Sequence, residues 1–82
     1  MSKFSIYLKN LIEDSGESIS FIARSIEAER ISIHKALTDE RILSYKVVQA
    51  LARHFNLPVD KKKEFFRLYD ICLLYTSDAA DE

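Results

Sequence analysis

Between Glu29 and Thr38 the chain carries two cations, two hydroxyls and an isoleucine that a short helix would place on, beside or at the end of one face. Ile31, Lys35 and Thr38 follow one another at spacings of four and three, so they share a helical face, with Ile33 and Leu37 opposite. Ser32 and His34 flank the outer face, and Arg30 stands at its N-terminal end. Lysine and arginine reach guanine acceptors or phosphate oxygens. Serine and threonine hydroxyls bond to bases or backbone, and an exposed isoleucine packs on a thymine methyl. The DNA major groove admits one α-helix, so a short helix with this face is the right size to read it. The same residues also make an ordinary solvated helix surface.

Other residues offer less chemistry. His34 and His54 are separated in sequence and lack a cysteine or carboxylate arrangement resembling a zinc site, so each reads as a surface or interhelix residue. Lys61-Lys62-Lys63 can contact phosphates or form a solvated first turn. The lone Cys72 excludes an intramolecular disulfide and a multi-cysteine zinc site. Serine, histidine and aspartate are present, but no strained nucleophile turn or activating spacing accompanies them. A single glycine in 82 residues rules out glycine-rich phosphate loops. The expectation is a binding protein that is not an enzyme, with no catalytic residues, cofactor or metal.

The elements that must hold the Glu29–Thr38 face are legible as apolar stripes at i, i+3, i+4 and i+7. Phe4, Tyr7, Leu8 and Leu11 form the first, extended by Ile12 and ending near Ser15-Gly16. Ile19, Ile22, Ala23 and Ile26 form the second, with Ser18 as N-cap. Val48, Leu51, Ala52 and Phe55 follow, with Ser44 as the cap. Phe65, Leu68, Tyr69 and Cys72 form the last, and Pro58 suits the first turn of that helix. The central segment adds a helix anchored by Ile33 and Leu37, with Ala36 beside them. Only Glu27-Ala28-Glu29 separate it from the preceding stripe, which predicts a steep crossing of the two helices. The fold class predicted is all-α, a compact five-helix bundle. With one glycine and one proline, a meander of tight hairpins lacks its turn residues.

At 82 residues the chain suits one small domain, and 48% hydrophobic content supplies its core. No run of 18 apolar residues is present and Met1-Ser2-Lys3-Phe4 lacks a signal-peptide core, so a cytoplasmic protein without membrane association is expected. Residues 72–82, Cys-Leu-Leu-Tyr-Thr-Ser-Asp-Ala-Ala-Asp-Glu, can be encoded by a string resembling a transposase-type sequencing adapter read in frame. The expectation is adapter read-through joined to a gene fragment near Ile71, which makes 72–82 a non-native or disordered tail. In an assembled genome the same gene then diverges near Ile71; a natural acidic tail continues instead. The whole chain has net charge −1, whereas residues 1–71 hold 12 basic and 10 acidic residues, net +2. With so small a bulk charge, any nucleic-acid footprint depends on local placement.

Residues 4 to about 71 resemble the Cro/C1-type helix-turn-helix family of bacterial and phage transcription regulators. Ile22-Ala23 followed by Ile26 is similar to the family's Leu-Ala-x-x-Leu segment, Ile33 to the apolar anchor of its recognition helix, and Val48-x-x-Leu51-Ala52-x-x-Phe55-Asn56-Leu57 to its next helix and exit. The resemblance implies a lambda-repressor-like bundle over 1–71, the N-terminal part of a longer protein. It implies sequence-specific binding of a double-stranded operator, as a homodimer, with the helix at about 29–38 in the major groove. The implied DNA-binding positions are Arg30, Ile31, Ser32, Lys35, Thr38 and, in the next loop, Arg41. Departures are Ile19 where the family often has glutamine, Glu27 where glycine is common in the turn, and Thr38-Asp39 with Ile42-Leu43-Ser44 in place of Asn-Gly and proline.

The alternative is a helical protein-interaction or dimerisation module that has lost specific DNA binding. Phe21 lies outside the second stripe, and Phe66 and Ile71 broaden the last helix's apolar face. These three suit a dimer interface, cover for a missing C-terminal sensor or oligomerisation region, or plain core packing.

Overall fold

A computed structural model describes residues 2–80, the side chains of 75–80 excepted. Five helices follow one another: α1 (Lys3–Ser15), α2 (Ile19–Ser25), α3 (Arg30–Leu37), α4 (Tyr45–His54) and α5 (Val59–Ala80). The Cα radius of gyration is 12.2 Å, close to the roughly 12 Å of a compact chain of this length. The expected all-α five-helix bundle is what forms.

Each helix starts and stops for local reasons. Ser2, Ser18 and Ser44 are extended N-caps whose hydroxyls accept from the amides of Ser5, Phe21 and Val47, satisfying donors that the helix itself leaves free. Pro58 sits immediately before Val59 rather than within the first turn. Its carbonyl accepts the Lys62 amide at 2.8 Å, and its missing N–H costs nothing there. Ile26 and Phe55, which the stripes place within helices, fall on the C-caps of α2 and α4, one position past the helix ends.

Four connections turn on a left-handed residue: Gly16, Glu27, Asp39 and Asn56, with φ of 72°, 57°, 63° and 52°. After α2, the Ala28 amide donates to the Ala23 carbonyl and the Glu27 amide to Arg24. After α3, Glu40 donates to Lys35 and Asp39 to Ala36, and after α4, Leu57 donates to Ala52 and Asn56 to Arg53. These are paired closures that satisfy the last carbonyls of each helix. After α1 the Gly16 amide donates to Glu13 and a side chain stands in for the second bond: Ser15 Oγ donates to the Ile12 carbonyl and accepts the Glu17 amide.

The helices share one core. Leu8, Ile22, Ile33, Val48, Leu51 and Phe65 are wholly inaccessible, and Phe4 stacks on Phe65 with ring centroids 5.2 Å apart. α3 packs against α1 and α2, while α5 packs against α1 and α4. Buried alanines at 23 and 36 keep the α2 and α3 surfaces slim within that core. Tyr69 is buried and donates its hydroxyl to the Leu43 carbonyl, tying the α3–α4 connection to α5. Burial, then the neighbouring Cys72 and Asp70, raises the Tyr69 pKa.

α5 continues through position 71, and Cys72 and Leu73 pack against the core. Burial raises the Cys72 thiol's pKa. Of the segment expected to be foreign, the side chains of 75–80 and all of 81–82 lie outside the described residues, as does Met1. No helix among the described residues is long and apolar enough to cross a membrane.

Candidate nucleic-acid interface on the third helix

α3 is held from one side. Ile33 and Ala36 are buried and Leu37 is packed against the core, so Ile31, Lys35 and Thr38, on the opposite side, face away. Arg30, Ile31, His34, Lys35 and Thr38 are exposed, Ile31 by 56% of its surface, while Ser32 is half-buried. The N-cap of α3 is Glu29, extended in backbone, whose carbonyl accepts the Ser32 and Ile33 amides at 3.1 and 3.4 Å. The Glu29 side chain makes no cap hydrogen bond.

The six candidate positions fall into three situations. Ile31 and Lys35 are displayed along the outer face, and Arg30 is exposed at its N-terminal end. Ser32 and Arg41 are brought together: Arg41 Nη1 donates to Ser32 Oγ at 3.4 Å, so the turn after α3 folds this guanidinium back beside the helix. That return depends on left-handed Asp39, which lets the amides of Glu40 and Arg41 both reach the Lys35 carbonyl, at 2.8 and 3.3 Å. Thr38 is committed elsewhere. Its hydroxyl donates to the Glu40 carboxylate at 2.7 Å, with the carbonyls of Lys35 and His34 at 3.2 and 3.4 Å. Donation by Thr38 to a base or phosphate therefore requires breaking the Glu40 bond, and Glu40 brings a carboxylate to the edge of the face.

The end of α3 is stapled to the start of α1, a feature absent from the sequence reading. Ser5 is fully buried, and its hydroxyl faces the Ala36 carbonyl at 2.9 Å and the Asp39 carboxylate. The Ser2 amide and hydroxyl each reach an Asp39 oxygen at 2.7 Å. Burial pushes the Asp39 carboxyl's pKa up, but hydrogen bonds from Ser5 and Ser2 oppose it, and the net displacement is downward. The faint sequence signal was a serine pair three apart at a helix start; its partner Asp39 lies too far along the chain to be read locally.

The other candidates scatter. His54 lies 2.7 Å from Glu17 between the α1–α2 turn and α4, while His34 is exposed on α3. No three metal-ligating side chains come together among the described residues. Lys61, Lys62 and Lys63 lie exposed in the first turns of α5. Phe21 is 52% and Ile71 42% exposed, whereas Phe66 is half-buried against Phe65 and Tyr45. No family model, curated protein or solved structure matches the chain.

Proposed function

We propose that this chain is the sequence-specific DNA-binding domain of a bacterial or phage transcription regulator, a Cro/C1-type helix-turn-helix protein with a lambda-repressor-like bundle. α3 enters the major groove with Lys35 and Ile31 at base edges, and Arg30 and Arg41 contact phosphates that set the register. The observation that carries the reading is the two-sided character of α3: Ile33 and Ala36 anchor it while Ile31 and Lys35 face outward, with Arg30 exposed at the N-terminal end. The four-residue connection from α2 and the return of Arg41 beside Ser32 support it. The partner is a double-stranded operator bound by a homodimer in the cytoplasm, and the domain binds without catalysis or cofactor.

A second reading is an interaction module without specific DNA binding. Exposed Glu27, Glu29 and Glu40 around α3 equal Arg30, Lys35 and Arg41 in number, and these carboxylates repel phosphates. Selection from a random duplex library separates the two. The DNA reading requires convergence on one sequence, bound with an affinity that falls steeply with salt as counterions are released. Failure to select any duplex, together with isolation of a stable complex with a protein partner, establishes the second.

A further inference from the structure

A groove of about 850 Å³ runs between α4 and α5, with no residue of α3 in its walls. Its floor is apolar. Tyr45 and Val59 are exposed by 54% and 66% of their surfaces, and the Phe66 ring lies 5.6 Å from that of Tyr45. Arg53 on α4 and Lys62, Lys63 and Arg67 on α5 stand around this floor, all exposed, with Asp70 the one carboxylate among the lining residues. The lining thus carries net +3 in a chain whose total is −1. Helical repeat explains the arrangement, since Tyr45, Gln49 and Arg53 recur every four residues on α4 while Val59, Lys63 and Phe66 share a face of α5.

We propose that this groove docks a short acidic peptide segment of a partner protein, built around an apolar anchor. Carboxylates of the segment meet the four cations, and an aliphatic or aromatic side chain fills the space over Tyr45, Val59 and Phe66. Charge complementarity selects the sign of the partner, and the apolar floor requires more than charge. The side-chain amide of Gln49 supplies a donor and an acceptor for a peptide backbone. A duplex backbone offers no group to cover the floor. The Tyr45 and Phe66 rings, inclined 49° to each other, pack together rather than presenting parallel faces to stacked bases. The proposal is separate from the reading of α3, and either can fail alone.

The test is selection of a displayed library of random 12-residue peptides on the full chain, with counter-selection on K63E/R67E. The expected winners carry several Asp or Glu around a Leu, Ile, Phe or Trp. A synthesised winner should bind saturably by fluorescence anisotropy and shift amide resonances along the facing sides of α4 and α5. It should lose at least tenfold in affinity to K63E/R67E, and several-fold to Val59→Ser or to replacement of its apolar anchor by serine. Both basic positions are exposed, so the double variant should melt with the wild type; the amide shifts on the wild-type chain decide the matter if it does not. Failure to enrich acidic peptides overturns the proposal, as do shifts confined to α3 or affinity indifferent to the apolar anchor. A 12-nucleotide oligothymidine that displaces the winner and binds the same amides more tightly also overturns it, assigning the groove to single-stranded nucleic acid.

Discussion

The Ser5 hydroxyl, wholly buried in the first turn of α1, lies against the carboxylate of Asp39, the left-handed residue that closes α3. Two segments 34 residues apart are thereby joined at the point where α3 ends and the chain turns back with Arg41. The carboxylate bonds to Ser5 and Ser2, while the same Ser5 hydroxyl also faces the Ala36 carbonyl. This staple sets the C-terminal end of α3 relative to the core, independently of the apolar anchor at Ile33.

Ser5→Ala should therefore destabilise the fold by about 1–3 kcal/mol, the loss of a buried hydroxyl bonded to the Ala36 carbonyl and the Asp39 carboxylate. In a domain of this size each kcal/mol lowers Tm by roughly 4–8 °C. Thermal and urea melts followed by circular dichroism read the effect. A melt unchanged by Ser5→Ala would mean that water replaces the hydroxyl without loss.

The lowered Asp39 pKa makes stability depend on pH with a definite sign. The unfolded chain binds this proton more tightly than the folded one, so the contribution is full above the ordinary value of 3.8 and is lost as pH falls through the lowered folded value. Asp39→Asn should be less stable than the wild type at neutral pH, with the gap narrowing below about pH 4 as the wild-type carboxyl takes up its proton. Urea midpoints of both chains between pH 2 and 7 measure this. A constant gap assigns the acid sensitivity to other carboxylates.

Glu27 holds φ at 57° in the connection between α2 and α3, where a β-carbon is crowded. Glu27→Gly removes that strain but adds freedom to the unfolded chain, so the net gain should be modest, about 0.5–1 kcal/mol. A matched Glu27→Ala variant, which keeps the β-carbon, should show none of it. Equal melting of the glycine and alanine variants would show that the left-handed turn is unstrained.

On an operator selected from random duplexes, Lys35→Ala should cost roughly 1–3 kcal/mol and relax preference at one base position. Arg41→Ala should weaken all duplexes alike and reduce the salt slope by about one. Thr38→Val should change little, because its hydroxyl is engaged by Glu40. Fluorescence anisotropy across a salt series distinguishes the three. Equal affinity of Lys35→Ala and wild type removes Lys35 from the reading face.

Helix identity was legible because it is written within four residues. The Phe4–Leu8, Ile22–Ala23 and Val48–Leu51 stripes, the caps at Ser18 and Ser44, and the stop at Gly16 all act through neighbours one turn away. The outward set Ile31, Lys35 and Thr38 was legible for the same reason: burial of Ile33 dictates the opposite face, and Arg30 is exposed at the N-terminal end of the helix. Competing local hydrogen bonds and tertiary packing decided the rest. Left-handed Glu27 goes against local preference and is held by the helices it joins, whereas Asp39 is a residue type that tolerates this conformation. Thr38 lies on the predicted face, yet its hydroxyl prefers Glu40 and the preceding turn. The Ser5–Asp39 staple, the Arg41–Ser32 contact and the basic groove of α4 and α5 require residues from different elements to meet. A one-turn pattern carries no information about such meetings, because they follow from how five apolar stripes fit around one core.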